Sequence, residues 1–251
     1  MSAIKEGHYY KKQIDCKSRI IAWSHRSRFN FALKLAGENP GAILDYGCGD
    51  GTFLTMIEPR ASFACGVDIA KNQIEECKER FNGRKMEFYP ISSAMYSIRP
   101  EGYDLVTCME TLEHCTRPVV EIVLDDLAAM VRSNGRVVIS VPIEIGPTFV
   151  MKKIVRTFAA CRGLSDYKYY ERYSFMNSWR MIFARTTTEI ERPEYGEVGG
   201  KYHSHYGFNW RALEVLIKKK FQINNRYFTP LNWTRGFFSS QVWFECSPKA
   251  K

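Results

Sequence analysis

Long hydrophobic runs are missing from this chain: no stretch approaches the roughly 18 consecutive apolar residues that a membrane-crossing helix needs. The opening residues, MSAIKEGHYYKKQ, contain no apolar segment of the kind a secretory signal carries, so export is not expected. Cysteine is present but never as a C-x-x-C pair; the eight residues, at 16, 48, 65, 77, 108, 115, 161 and 246, are scattered. That spacing argues against a zinc site or a disulfide framework and for a reducing, cytoplasmic setting. Internal repeats and low-complexity tracts are absent too. Acidic residues are the scarcer charge, 27 against 36 basic ones, which leaves a net charge of +9. Such a surplus suits an acidic partner (nucleic acid, anionic lipid, a phosphorylated substrate, an anionic cofactor) or is a solvated basic surface and nothing more.

What is present is ordinary globular material. Apolar residues make up 45% and charged residues 25% of the 251, enough for one sizeable core without covalent staples. Between residues 11 and 36, apolar positions at Ile20, Trp23, Phe31 and Leu35 recur among basic ones, which predicts one or two amphipathic helices stopped by Gly37 and Asn39-Pro40. Short apolar runs then follow: AILDY, FACGVDI, KMEFYP, YDLVTCM and RVVISVPI. Between them lie helical segments such as KNQIEECKERF and VVEIVLDDLAAMV, the second ended by Asn134-Gly135. Alternation of this kind means βαβ units and a parallel sheet buried on both faces.

After Pro142 the alternation stops, and it returns with WRALEVLIKKKF, capped by Asn209, and the strands INNRYFTP and SQVWFECSP. The expected fold is therefore α/β, Rossmann-like and doubly wound, with a mostly parallel seven-stranded sheet and a helical, aromatic cap inserted after the fifth strand. One domain over 1–251 is expected: N-terminal helices to 36, a cofactor-binding core at 37–145, the cap at 146–205, and a C-terminal helix and strands at 206–251.

The sharpest local feature is ILDYGCGDGTFL at 43–54, with glycines at 47, 49 and 51 directly after the first strand. In an open α/β sheet this is where ligands bind, and glycine lets the backbone approach them closely. A Walker loop would need G-x-x-x-x-G-K-[ST], and no such string occurs. The dinucleotide fingerprint would need glycine where Thr52 stands. Asp45, at the end of the strand, would oppose a pyrophosphate but accepts from the ammonium of an amino-acid moiety. Asp68, ending GVDI 23 residues later, stands where a carboxylate holds ribose hydroxyls. NAD and S-adenosylmethionine (SAM) share that ribose, so Asp68 alone does not choose between them; Asp45 favours SAM.

ILDYGCGDG, GVDI and YDLVTCMETLEHC together resemble the first, second and fourth motifs of class I SAM-dependent methyltransferases, over roughly residues 40–145. The fourth is similar to that of the ubiquinone-biosynthesis O-methyltransferases. The resemblance implies that Gly47, Cys48 and Gly49 line the methionine part of SAM with Asp45 nearby. It places Asp68 and Ile69 at the ribose, Ser92 or Ser93 at the adenine, and Met109 and Glu110 beside the bound cofactor. Arg28, or Arg26, would meet the cofactor's carboxylate. In the ubiquinone-type relatives the E-x-x-E-H string is connected with a divalent metal, which implies Glu110, Glu113 and His114 as ligands. The other reading is that Glu113 merely starts a helix at its favourable N-terminal end.

A hydroxyl acceptor needs a base or a metal to ease loss of its proton. His114 and the pair His203 and His205 in KYHSHYGFNW are the candidate bases. The cap should choose the acceptor. Val150, Met151, Ile154, Val155 and Phe158 fall on one helical face with Lys152, Lys153 and Arg156 opposite, so residues 149–162 either form a lid or lie on an anionic membrane. The aromatics Tyr167, Tyr169, Tyr170, Tyr173, Phe175 and Trp179 are candidates to line an acceptor pocket. Against nucleic acid, CMET replaces the N/D/S-P-P-Y/F string of amino-methylating enzymes, and the P-C string of RNA cytosine enzymes is missing. The expectation is O-methylation of a small-molecule, lipid-linked or glycan acceptor, in the cytoplasm or at the membrane face. An RNA methyltransferase and a non-catalytic scaffold are the alternatives.

Overall fold

The computed structural model describes residues 19–161, 173–196 and 202–249. Residues 1–18, and with them the start of the expected N-terminal helical region, lie outside the described residues, as do Tyr167, Tyr169 and Tyr170. The first helix, α1 (Arg19–Ala36), ends at Gly37, and β1 (Ala42–Tyr46) follows. Every residue of β1 is buried, as the centre of a parallel sheet requires. Alternation continues through α2 (Thr52–Ile57), β2 (Phe63–Asp68), α3 (Lys71–Arg80), β3 (Met86–Pro90), β4 (Tyr103–Met109), α4 (Arg117–Met130) and β5 (Val131–Pro142). The cap contributes α5 (Pro147–Cys161), α6 (Phe175–Ile182) and a small antiparallel pair, β6 (Glu194–Tyr195) with β7 (Tyr202–His203). The chain closes with α7 (Trp210–Lys220), β8 (Phe221–Thr229) and β9 (Gln241–Pro248).

Among the described residues these strands form a seven-stranded sheet in the order β3-β2-β1-β4-β5-β9-β8. The first five run parallel, and β9 and β8 are antiparallel additions at one side. Apolar side chains of α1, α2 and α3 pack one face, those of α4 and α7 the other. The order reverses between β1 and β4, and that is where a ligand crevice opens beyond the carboxyl ends.

Two local expectations change. Helix α4 stops at Met130, where Val131 turns extended, well before Asn134-Gly135. Gly135 serves close packing instead: a Cβ there would stand 2.8 Å from the carbonyl oxygen of Tyr103 on β4. Helix α5 forms where expected, but the described residues of its apolar stripe are not buried: Met151 is half-buried and Val150 and Ile154 are more open. Thr148 and Phe149 are buried instead. Lys152 is drawn inward, its Nζ 2.8 Å from the buried carboxylate of Glu144. An ion pair and the hydroxyl of Thr148, which donates to the carbonyl oxygens of Gly236 (2.6 Å) and Phe237 (3.1 Å), set the rotation of the helix. Lys152 is therefore withdrawn from the basic face proposed for a membrane.

The antiparallel side is anchored by Trp243, fully buried, with its Nε1 donating to Thr229 Oγ1 at 2.9 Å and Phe31 of α1 meeting it edge-on at 5.3 Å. Trp243→Ala should lose roughly 3–5 kcal/mol of stability, the usual cost of an emptied aromatic site. Urea unfolding measures it, and a loss under 1 kcal/mol would show that the anchor is not there.

Candidate active site

The glycine loop is shaped by its backbone. Gly47 N and Cys48 N both donate to the carbonyl oxygen of Val67 (2.7 and 3.1 Å), which bends the chain back over β2. Gly47 (φ 79°) has no alternative, since a Cβ would stand 2.3 Å from Thr111 Oγ1. Gly49 (φ 53°) differs: a Cβ there meets nothing within 4 Å, so open space lies above it. Asp68 ties the loop to the next helix, accepting from Gly49 N on Oδ2 and from Ala70 N on Oδ1, both at 2.9 Å. Thr52, in the place of the missing dinucleotide glycine, is buried and donates its hydroxyl to Asp50 Oδ1 at 2.6 Å. The Cys48 thiol is buried, and burial raises its pKa well above the ordinary thiol value.

Asp45 lies beneath the loop, buried, accepting from Thr107 Oγ1 at 2.6 Å. Burial pushes its carboxyl up to about 7, with a smaller contribution from the charge of Asp68. Ile69 is 73% exposed beside Asp68, an uncovered apolar surface at the crevice. Ser92 is also exposed; the side chain of Ser93 lies outside the described residues. At the end of β4, Met109 leads into Glu110, which holds a left-handed backbone (φ 54°) rare for a residue with a side chain. Its Oε2 lies 3.1 Å from Arg28 Nη1, so the arginine of α1 does reach this edge and meets a carboxylate of the chain itself.

The second half of the site gathers around Glu113. This carboxylate is completely buried, and among the described residues neither oxygen has a hydrogen-bond donor. Burial raises its pKa well above the usual carboxyl range, and the charge of Glu110 adds to the effect. His114 Nε2 lies 3.8 Å and His205 Nε2 3.9 Å from Glu113 Oε1. His114 Nδ1 is 2.8 Å from the carbonyl oxygen of His203. A carbonyl only accepts, so Nδ1 carries the proton and Nε2 keeps its lone pair. Burial also lowers the His114 pKa, which favours this neutral form. The three ligand atoms of Glu113, His114 and His205 fall within 4.8 Å of one another.

Two expected residues stand differently. Glu110 is not among the three within 4.8 Å of one another: its Oε2 turns to Arg28, and His205 joins Glu113 and His114. The ring of His203 is not among them either: His203 is buried, its Nδ1 2.9 Å from the carbonyl oxygen of Pro193, and it serves the group through its own carbonyl. What delivers His205 is Arg192, whose guanidinium donates to the carbonyl oxygens of Glu113, Ser204 (2.6 Å) and Tyr206 (2.9 Å). Arg192 has no signature in the sequence. Glu144 has one: a lone carboxylate interrupting the apolar VPIEIG just past the fifth strand. Of the aromatic run, Tyr173 stacks on Tyr206 with centroids 4.1 Å apart, whereas Phe175 and Trp179 face solvent.

A carboxyl that keeps its proton to about pH 7 when folded, against 3.8 when free, costs stability increasingly as pH rises through that window. Asp45→Asn keeps the acceptor for Thr107 and removes the charge. It should raise Tm at pH 8 by several degrees and by clearly less at pH 5, nearer the free value; equal shifts at both pH values would refute the buried-charge assignment.

Comparison with known proteins agrees with this fold. A methyltransferase-domain family matches residues 43–135. A ubiquinone biosynthesis O-methyltransferase of Pseudomonas fluorescens is 27% identical over 170 residues, covering 63% of this chain and 68% of that protein. The enzyme of that name from Aeromonas salmonicida is 30% identical over 138 residues, covering 50% and 55%. Among solved structures, an S-adenosylmethionine-dependent methyltransferase of Clostridium acetobutylicum superposes with a TM-score of 0.60 at 12% identity, over 97% of each chain. Magnesium protoporphyrin IX methyltransferase of Synechocystis, solved with bound SAH, gives 0.55 at 14% identity, over 96% of this chain and 97% of its own. These two share the fold. Residues 43–135 thus match a methyltransferase domain, and the chain as a whole has the fold of the class I S-adenosylmethionine-dependent methyltransferases, with the glycine loop at the switch point of its sheet.

Proposed function

We propose that the chain transfers the SAM methyl group to a hydroxyl of a small-molecule acceptor, with a divalent cation held by Glu113, His114 and His205. The observation that carries this reading is the buried Glu113, whose two oxygens lack donors while two imidazole Nε2 atoms face one of them. Two imidazoles and a carboxylate suit a first-row divalent metal, and the orphaned oxygens are what such an ion would satisfy. The group adjoins the cofactor loop, since Thr111, two residues before Glu113, packs on Gly47.

On this reading the open space over Gly49 takes the methionine part of SAM, lined by Gly47 and Cys48. Asp45 stands beneath as the acceptor for the ammonium. Asp68 adds the ribose hydroxyls to its two backbone donors, Ile69 offers an apolar surface beside them, and Ser92 or Ser93 meets the adenine. Met109 and Glu110 flank the cofactor, and Arg28, already paired with Glu110, is within reach of its carboxylate. Methyl transfer from a sulfonium is an in-line displacement, so most of the protein's work is positioning. A bound cation would lower the pKa of an acceptor hydroxyl. Without one, the unprotonated Nε2 of His114, or that of His205 in the matching tautomer, is the group able to take the proton.

The names of the relatives favour a small hydroxylated acceptor. A lipid-linked one is favoured by α6, whose outer face carries Phe175 (84% exposed), Trp179 (55%) and Phe183 (61%) as a ladder of neighbouring rings. Aromatic side chains of this kind anchor helices at a bilayer surface. No described helix is long and apolar enough to cross a membrane, so the contact would be peripheral. Glycan acceptors lack a comparable feature.

Three measurements test these assignments. Asp68→Ala should weaken SAM binding at least tenfold by calorimetry with little change in Tm, and an unchanged affinity would remove the ribose role. EDTA should abolish turnover and Mn²⁺ restore it; turnover indifferent to EDTA would leave the histidines as bases and end the metal reading. Replacing Phe175, Trp179 and Phe183 with serine should release the protein from anionic vesicles in sedimentation, and equal binding would exclude α6 as the membrane contact.

A further inference from the structure

Glu144 stands where the chain leaves the sheet and enters the cap. It is 2% exposed, yet its Oε1 is approached by two donors from separate parts of the cap. Lys152 Nζ, on α5, lies at 2.8 Å and also reaches the carbonyl oxygen of Ser240 at 3.4 Å. His205 Nδ1 lies at 3.5 Å from the same Oε1. The side chain of His205 is 39% exposed and so has room to turn elsewhere, but its Nδ1 faces this carboxylate. An ionised carboxylate only accepts, so the arrangement is favourable only when Nδ1 carries the proton. Nε2 then keeps its lone pair toward Glu113. An imidazole whose far nitrogen is fixed by a carboxylate is the arrangement that orients a metal-ligating or proton-accepting histidine.

We propose that Glu144 is a positioning residue that holds His205 as the Nδ1–H tautomer, and that Lys152 competes with His205 for the same carboxylate oxygen. The first part concerns the histidine alone. Its consequence for a cation rests on the metal reading above. The Lys152 charge neutralises Glu144, draws Oε1 toward α5, and repels any cation held nearby. Removing the lysine should therefore strengthen the hold on His205, while removing the carboxylate should release it. A simple staple between β5 and α5 would respond in neither way.

The test compares the wild type, Lys152→Met, and the double variant Glu144→Leu/Lys152→Met, which removes both members of the 2.8 Å ion pair together. Nitrogen-15 spectra of the histidines should show His205 as Nδ1–H in the wild type and in Lys152→Met, and as a tautomer mixture in the double variant. Titration with Mn²⁺ alone should give affinity several-fold tighter in Lys152→Met than in the wild type. The double variant should bind at least tenfold more weakly than Lys152→Met, the range seen when such outer partners of a ligand are removed. An unchanged His205 tautomer in the double variant overturns the proposal, as does equal loss of affinity in both variants alongside a fall in Tm. Should the double variant not fold, Lys152→Met decides, because unaltered or weaker Mn²⁺ binding refutes the competition. If the wild type takes up no Mn²⁺ while the tautomer change occurs, the metal reading falls and the positioning role stands.

Discussion

The guanidinium of Arg192 is the interaction on which the assembled site depends. Glu113 belongs to the turn after β4, and Ser204 and Tyr206 belong to the loop after β7, so nothing local brings them together. Arg192 presents several donors in a rigid fork and satisfies a carbonyl from each of the three. The ring of Phe208 lies 5.5 Å from the guanidinium and completes its surroundings. His205 sits between two of the clamped carbonyls, and its approach to Glu113 follows from the clamp. The bond from His114 Nδ1 to the His203 carbonyl is a second stitch along the same seam.

The two halves of the crevice are thus built by different physics. The cofactor half is made of backbone: positive-φ glycines, a carbonyl of β2 that accepts twice, and a carboxylate that accepts from loop and helix together. Those contacts lie between neighbouring strands and within the span that matches the methyltransferase family. The half around Glu113 is made of side-chain charge and long-range contacts. Glu144, Lys152, Arg192 and His205 all lie beyond residue 135, outside that span.

That division also explains what could be read in advance. The mostly parallel sheet and the place of the glycine loop were legible because AILDY, GVDI and YDLVTCM are largely buried and alternate with helices. Gly47, Gly49 and Asp68 were legible because their spacing to the strands is set by the turn itself. The rotation of α5 was not, because periodicity weighs Val150 and Ile154 against lysines and cannot know that Glu144 waits beneath Lys152. The approach of His205 to Glu113 was equally hidden: E-x-x-E-H is contiguous, whereas Glu110 meets Arg28, on a helix that precedes the whole sheet. Gly135 misled in a simpler way, since a glycine that permits close backbone approach looks the same in sequence as one that ends a helix.

The shared oxygen of Glu144 has a thermodynamic meaning beyond the site. Whatever moves α5 changes how much of that oxygen remains for His205, and whatever engages His205 changes how firmly α5 is seated. Linkage makes the two effects equal in free energy, whichever end is perturbed. An acceptor that presses on the cap and a ligand that occupies the Glu113 group would then sense each other reciprocally, through one carboxylate and without a change of fold.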